Sequence, residues 1–202
     1  MAEIWLADLA AYNAGNLVGE WVELGNGTDL EEIHATLSKI LARGEAELKL
    51  SGEFSGPHEE FAIHDYSGFY GIRIGEYDSL DRVQEIACVL DDFGYEDDRL
   101  AFGEFLAEVS DLDEYDDIHE AVEAFRDRFV GRVTLREYAE EWHEDQVREL
   151  KSMVRNALYD ERQVEAFERN LDSMASKVDL DRIADELSCD FTESGPFLFR
   201  DF

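Results

Sequence analysis

The first part of the chain carries the apolar and polar pattern of paired strands. Residues 4–9 and 17–24 are rich in aliphatic and aromatic side chains, which favour strands. The Asn and Gly residues over 13–16 are typical turn residues. We therefore predict two strands joined by a turn, and the segment EFAIHDY at 60–66 predicts a third strand and its exit.

A helix is predicted between the second and third strands. Apolar residues recur there at helical spacing over 33–41. Thr28 and Glu31 predict a capping box at the start of this helix, and Gly44 predicts its C-terminal cap. The stretch 44–58 has weak periodicity, so we predict a surface hairpin or loop there.

Three shorter helices are predicted in the middle of the chain, joined by acidic linkers. Ser79 is a candidate N-cap for the first helix, which has apolar residues at helical spacing over 80–90 and ends near Gly94. The second helix is predicted near 97–109 and the third near 116–128.

The last part of the chain again mixes strands and helices. Residues 129–133 predict a strand, and Thr134 with Glu137 predicts a capping box that opens a long helical region. Residues 179–187 predict a shorter helix, and 191–202 a terminal hairpin.

Charge is concentrated in the helical middle of the chain. The 202 residues include 50 Asp and Glu against 18 Lys and Arg, a formal net charge of −32. Residues 1–75 carry 13 acids and 4 bases, residues 76–127 carry 19 acids and 3 bases, and residues 128–202 carry 18 acids and 11 bases. Half of the net charge, −16, therefore lies in about a quarter of the chain.

This charge excludes several classes of function. Direct binding to nucleic acid or to anionic lipid requires a basic face, so neither is predicted. No apolar run approaches the roughly 20 residues that cross a bilayer, and residues 1–15 lack the basic segment of a secretory signal. Cys88 and Cys189 lack the spacing of a disulfide framework, so a reducing cytoplasm is expected and Cys88 is interpreted as a core thiol.

Catalytic and metal-binding motifs are not found in the sequence. Residues 25–27 precede a helix but lack the Lys of a phosphate loop, and 111–122 lacks the Gly and Glu of a calcium-binding EF-hand loop. The five histidines are not at metal-ligand spacing, so neither a metal nor a cofactor is predicted. Two alternatives stay open: an enzyme of unknown class using His64 and Asp65, and a halophile protein whose acidity is an adaptation to salt.

Blocks of the sequence resemble the ArdA antirestriction proteins. They are LAAYNAGNLVGEWVEL at 9–24, EEFAIHDYSGF at 59–69, GEYDSLDRVQEIA at 75–87 and VDLDRIADELSCDFTESGPFLF at 178–199. The YNAGNLVGEW and IHDY segments are the most specific of these. Relative to the shorter members of the family, this chain looks extended near 44–57 and 143–170.

The resemblance implies an elongated α+β protein of three small lobes. With the charge boundaries, these are a mixed α+β N-terminal lobe over 1–75, an all-helical acidic lobe over 76–127 and an α+β C-terminal lobe over 128–202. It also implies a non-enzymatic DNA mimic that occupies the DNA-binding cleft of type I restriction-modification enzymes and forms a homodimer through the C-terminal lobe. The alternative is an acidic interaction module for another basic DNA-binding protein.

The acids of the middle lobe are the candidate partner-binding residues, because carboxylates held on helices present the charge of DNA phosphates. They are Asp78, Asp81, Glu85, Asp91, Asp92, Asp97, Asp98, Glu104, Glu108, Asp111, Asp113, Glu114, Asp116, Asp117, Glu120 and Glu123. The smaller net charge of 128–202 favours this lobe as the dimer contact, with Phe191, Phe197 and Phe199 as candidate contact residues.

Overall fold

The chain folds as a mixed α+β protein with a small antiparallel sheet near each end of the sequence and helices between them. The computed structural model describes residues 1–52 and 56–201, so residues 53–55 of the predicted loop and residue 202 of the predicted hairpin lie outside the described part. The chain divides into two compact units, 1–125 and 126–202. Within the described ranges, none of the helices combines the length and apolar character needed to span a membrane.

The first unit contains a three-stranded antiparallel sheet, and its strand order is β2-β1-β3. Ile4 of the central strand pairs with Val22 on one side and with Tyr66 on the other. In chain order the elements are β1 (Ala2–Asp8), α1 (Leu9–Asn13), β2 (Gly19–Leu24), α2 (Leu30–Ser51), β3 (Phe61–Ser67), α3 (Leu80–Asp92), α4 (Glu96–Glu104), a π-helical turn (Phe105–Val109), a 3-10 turn (Leu112–Glu114) and α5 (Ile118–Arg128).

The three predicted strands and the three predicted middle helices are confirmed, with shifts of a few residues at their ends. In the sheet, Ile4 and Leu6 of β1 are fully buried, as are Ile33 and Ile40 of the adjacent α2. A short helix, α1, occupies part of the predicted turn, and Gly15 then reverses the chain at φ +86°.

Both predicted ends of α2 are wrong. The N-cap is Asp29, whose side chain makes no capping hydrogen bond, so Thr28 and Glu31 do not form the expected box. The helix continues to Ser51 and ends at Gly52, which adopts the left-handed conformation at φ +82°. Much of the predicted 44–58 loop is therefore helix.

Gly44 lies inside α2, where the helix packs closely against Asp8 and Ala11, and it does not terminate the helix. A Cβ at this position would lie 2.0 Å from Oδ2 of Asp8 and 3.3 Å from Cβ of Ala11. The absence of a side chain lets α2 approach the end of β1 and the start of α1 closely. A sequence rule for helix ends does not distinguish this contact glycine from a capping glycine.

An aromatic cluster holds the middle helices together. The ring of Phe125 lies 5.9 Å from Phe93, 5.4 Å from Phe102 and 5.7 Å from Phe105, centroid to centroid. These edge-to-face contacts join the end of α3, α4, the π-helical turn and α5. The acidic side chains on these helices are thus mounted on a packed aromatic core.

The second unit contains the other sheet, with strand order β4-β6-β5. Its elements, together with the end of α5, are β4 (Phe129–Gly131), α6 (Leu135–Ala157), α7 (Glu161–Ala175), α8 (Leu180–Leu187), β5 (Phe191–Ser194) and β6 (Phe197–Arg200). The predicted capping box of Thr134 and Glu137 is confirmed, as are the terminal hairpin and the helix before it.

The terminal phenylalanines are not a free contact surface. Phe197 and Phe199 are buried in the unit itself, and the ring of Phe199 packs against Phe129 at 5.7 Å. Phe191 is half-buried and packs on Tyr138, with the ring centroids 4.8 Å apart. Because these rings build the core around the sheet, the prediction that they form a dimer contact is wrong for Phe197 and Phe199.

Candidate partner-binding surface

The sixteen predicted acids lie at the surface of the first unit. Twelve are exposed, and the remaining four, Asp78, Asp91, Asp98 and Glu104, are half-buried. Glu76, Glu96 and Asp127 are exposed acids of the same stretch that the prediction left out. The helices of this region therefore present carboxylates outward.

Helix α3 shows how the sequence divides the acidic from the apolar face. The Ser79 Oγ accepts a hydrogen bond from the Arg82 backbone N–H at 3.3 Å and caps the helix. Val83, Ile86 and Leu90 recur at helical spacing and are buried. Asp81, Glu85 and Asp92 fall outside this stripe and are exposed.

Gln84 anchors α3 to the loop before α2, a role that sequence reasoning missed. Its Oε1 accepts from the Gly25 N–H at 3.0 Å, and its Nε2 donates to the carbonyl oxygens of Gly25 at 3.0 Å and Thr28 at 2.7 Å. The residue is 8% exposed. A polar residue within the apolar stripe of α3 is the sequence signal for this contact.

The Gly25-Asn26-Gly27 loop binds the chain's own carboxylates. The Asn26 backbone N–H donates to Asp91 Oδ2 at 3.1 Å, and its side-chain amide donates to Asp92 Oδ1 at 2.8 Å. Gly25, at φ +113°, leaves no room for a Cβ beside Asp91. Asp91 and Asp92 are thus held at the end of α3 by internal donors.

The first turn of α4 carries three successive acids, Glu96, Asp97 and Asp98. Negative charge at a helix N-terminus is favourable, because it faces the positive end of the helix dipole. Arg99 turns away from this turn, since its Nη2 donates to the Phe93 carbonyl at 2.9 Å and its guanidinium lies 5.8 Å from the Tyr70 ring centroid. This base thus supports the fold, not the acidic surface.

A groove of about 560 Å³ lies beside α3 and the segment that leads into α5. It is lined by Arg82, Glu85, Leu112, Asp113, Tyr115, Asp116, Asp117 and Ile118. On its wall Arg82 Nη2 donates to Asp113 Oδ1 at 2.7 Å, and this hydrogen bond raises the pKa of the guanidinium. Four of the eight lining residues are carboxylates, so the groove suits a cationic side chain.

Carboxylates at the start of α5 also cap the helix. The Asp117 Oδ1 accepts from the Glu120 backbone N–H at 2.9 Å, and the Glu120 Oε2 accepts from the Asp116 backbone N–H at 2.9 Å. The bond to Asp117 satisfies a donor of the first turn that the helix itself leaves unpaired. Both hydrogen bonds also hold two of the exposed acids in fixed positions.

Several acids have no cation of their own. Within the described residues, five of the sixteen carboxylates have no Lys, Arg or His nitrogen within 4.0 Å and accept no hydrogen bond. These are Asp81, Asp98, Glu108, Asp116 and Glu123. Their charge is available to an external cation.

The described residues also bear on metal binding and on the alternative of an enzyme using His64 and Asp65. The described residues contain no group of three or more His, Cys, Asp or Glu side chains placed to hold a metal ion. The His64 ring packs edge-on against Tyr12 with centroids 4.4 Å apart, and Asp65 Oδ1 accepts from the Tyr66 N–H. Burial, followed by the charges of Asp91 and Asp92, raises the pKa of the Cys88 thiol, which disfavours the reactive thiolate.

Comparison with known proteins assigns the chain over nearly its whole length. The family model described as Antirestriction protein (ArdA) matches residues 4–195. A search of curated proteins finds no match.

Proposed function

Because the chain belongs to the ArdA family and is an antirestriction protein, we propose that it inhibits type I restriction-modification enzymes as a DNA mimic in the cytoplasm. In this proposal the protein performs no chemistry and occupies the DNA-binding cleft of the target enzyme. The observation that carries the proposal is the outward presentation of the sixteen acids on α3, α4, α5 and their connections.

The charge density of the acidic stretch supports the proposal. Duplex DNA carries one negative charge per roughly 1.7 Å of its axis. At that density the net −16 of residues 76–127 corresponds to about 27 Å of duplex. A basic cleft that binds DNA would therefore meet a comparable charge on a folded protein surface.

The fixed positions of the carboxylates support the proposal further. Acids such as Asp117 and Glu120 are held by backbone donors, and the helices pack on the phenylalanine cluster. Binding by a folded surface avoids the ordering cost that a flexible acidic tail incurs. Carboxylates without an internal cation then accept charge-assisted hydrogen bonds from the Arg and Lys of the target.

The proposal includes a homodimer through the second unit. Residues 128–202 carry net −7 against −16 for 76–127, so two copies repel each other least there. A dimer presents two acidic surfaces and covers a longer stretch of the DNA-binding cleft. This part is tested by sedimentation at micromolar concentration, where a monomer would contradict it.

The direct test is competition for a purified type I methyltransferase. Labelled duplex DNA bound to the enzyme is titrated with the protein, and we expect stoichiometric displacement. Displacement should weaken steeply as salt is raised, because counterions leave both the protein and the cleft on binding. Retention of the DNA at a large excess of the protein would contradict the proposal.

A matched pair of variants separates the acidic surface from bulk charge. One variant reverses Asp81, Asp98, Glu108, Asp116 and Glu123 to Lys. The control reverses five exposed acids of the second unit, Glu141, Glu144, Glu165, Asp185 and Asp190. Both change the net charge equally, so loss of displacement in the first variant alone would identify the footprint. Equal loss in both would show that the bulk charge, not this surface, is recognised.

A further inference from the structure

One face of the sheet in the first unit carries two tryptophans side by side. Trp5 of β1 lies directly opposite Trp21 of β2, so both indoles project from the same face. The ring centroids are 5.8 Å apart, and the rings meet edge to face at 73°. Ile4 and Val22, the next residues along the two strands, point to the other face and are buried. The tryptophans therefore lie on the outer face of the sheet.

The fold fixes one indole and leaves the other accessible. Trp5 is half-buried, and a Cβ at Gly19 would lie 2.8 Å from its Nε1. The absence of a side chain at Gly19 thus lets the indole of Trp5 lie against β2. Trp21 is 44% exposed. An edge-to-face pair leaves ring faces open that a stacked pair would cover, so the Trp21 indole is available to another molecule.

Three carboxylates stand beside the tryptophans on the same face. Asp65 of β3 lies opposite Trp5, on the side away from β2. Glu3 and Glu23 lie opposite each other in the next row, two residues along their strands from the indoles. Asp65 and Glu23 are exposed, and Glu3 is half-buried. With the two indoles, these carboxylates form what we term the tryptophan face.

The carboxylates of the tryptophan face have no cation among the described residues, since none of the three has a Lys, Arg or His nitrogen within 4.0 Å. Glu3 Oε1 accepts instead from the Ser67 hydroxyl at 2.9 Å. Glu20 provides the contrast, because it lies one residue before Trp21 and its Oε2 pairs with Arg43 Nη1 at 3.2 Å. The acids beside the indoles thus keep their charge for an external cation.

The combination of an open indole and carboxylates favours a guanidinium over other cations. The face of an indole attracts cations through its ring quadrupole, and carboxylates add charge-assisted hydrogen bonds. A guanidinium is planar, stacks on aromatic rings and donates to carboxylates from its edge at the same time. The ammonium of lysine is compact and strongly hydrated, so it uses this arrangement less well.

We propose that the tryptophan face binds an arginine side chain of the protein's basic partner. The guanidinium stacks on Trp21 and donates to Glu23, with Trp5 and the remaining carboxylates around it. The identification of the partner rests on the proposed function, and the contact lies outside the sixteen acids of the helices. Those acids act through their combined charge, whereas the tryptophan face adds a short-range contact that depends on ring geometry.

The test uses the full chain and a short arginine-rich peptide, compared with the same peptide carrying lysine in place of arginine. Each peptide is fluorescently labelled, and its anisotropy is followed at raised salt, which screens the diffuse attraction of a chain of net charge −32. The test variant is Trp21→Ala. The control is Trp142→Ala, because Trp142 is 41% exposed in the second unit and neither change alters the net charge. Circular dichroism checks folding.

We expect Trp21→Ala to weaken binding of the arginine peptide by about two- to fivefold, while Trp142→Ala binds like the parent chain. Trp21→Tyr keeps an aromatic face and should bind nearly as well as the parent. Glu23→Gln should also weaken binding, relative to Glu47→Gln at an exposed position on α2, and this pair decides the question if Trp21→Ala does not fold.

Equal affinity of the two alanine variants for the arginine peptide would overturn the inference, as would equal affinity of the parent for the two peptides. DNA displacement from the methyltransferase is measured separately with the same variants. A parent that binds the arginine peptide through Trp21 but displaces no DNA would contradict the proposed function alone. A parent that displaces DNA no better than Trp21→Ala would overturn the assignment of the tryptophan face to that target.

Discussion

The imidazole Nδ1 of His58 contacts the carboxylate of Asp8 inside the first unit, where the two side chains are 1% and 0% exposed. The other oxygen of Asp8 accepts a hydrogen bond from the Ala11 N–H at 3.0 Å and so caps α1. The contact joins the end of β1 to the segment that precedes β3, 50 residues later. Removing either partner leaves a buried polar group without its main contact.

Replacing Asp8 with Ala should strongly destabilise the protein. We expect the free energy of unfolding to fall by about 3–5 kcal/mol, the range for breaking a buried pair by removing one partner. Urea denaturation followed by circular dichroism measures it. The control is Asp29→Ala, because Asp29 is exposed and makes no side-chain capping bond. That variant should stay within about 0.5 kcal/mol of the parent, and equal losses would contradict the role of Asp8.

Gly44→Ala should destabilise the protein, although Gly to Ala within a helix ordinarily stabilises by about 1 kcal/mol. The sign reverses because the new methyl group would meet Oδ2 of Asp8 at 2.0 Å. Thermal unfolding measures the change, with Gly94→Ala as the control, since a Cβ at Gly94 meets no atom within 4 Å. In the Asp8→Ala background, Gly44→Ala should cause a smaller loss of thermal stability. An equal loss in that background would show that the destabilisation does not come from contact with Asp8.

Gln84→Ala should loosen α3 from the loop before α2. The change leaves the Gly25 N–H and the carbonyl oxygens of Gly25 and Thr28 without their partner. We expect a loss of about 1–3 kcal/mol per group that stays buried and unpaired, measured by urea denaturation. The exposed Gln163 provides the control, and Gln163→Ala should be close to neutral. Faster amide hydrogen exchange that is confined to α3 and the loop before α2 would show that Gln84 holds these two segments together.

The capping box of α6 should make stability depend on pH. Hydrogen bonds from the Thr134 backbone N–H and hydroxyl lower the pKa of Glu137 below its ordinary 4.5. The stabilisation is therefore present above pH 4.5 and is lost as pH falls through the lower pKa of the folded state. Comparing the parent with Glu137→Gln from pH 7 downward should show a stability difference that closes in this acidic range. A stability difference that persists at pH values below this range would contradict the role of ionised Glu137 in the capping box.

Removing the cap itself gives a test that does not rely on pH. Thr134→Ala deletes the side chain that accepts from the Glu137 N–H, and we expect a loss of about 1 kcal/mol. Thr134→Ser keeps the oxygen and serves as the control. If both variants lose the same stability, the hydroxyl is not the group that caps the helix.

Local patterns in the sequence predicted the elements well. The strands over 4–9 and 60–66 and the helix after Ser79 follow from periodicity and capping, because both depend on residues close together in the chain. The Thr134–Glu137 box was predicted for the same reason. The acids were predicted as a surface, since clustered carboxylates on amphipathic helices point to solvent.

Contacts between distant residues could not be predicted in this way. Asp8 and His58 are 50 residues apart, and Gln84 lies 59 residues from Gly25. The prediction of Gly44 as a cap is wrong because this glycine instead lets α2 pack closely against Asp8. No local pattern in the sequence specifies that contact.

The sequence by itself determined where the helices and strands form, where the negative charge collects and the family to which the resemblance pointed. Tertiary structure alone decided which acids bind internal donors and that Phe197 and Phe199 lie in the core of the second unit. The physical reason is that charge and periodicity are properties of neighbouring residues, whereas burial and pairing depend on which segments the fold brings together.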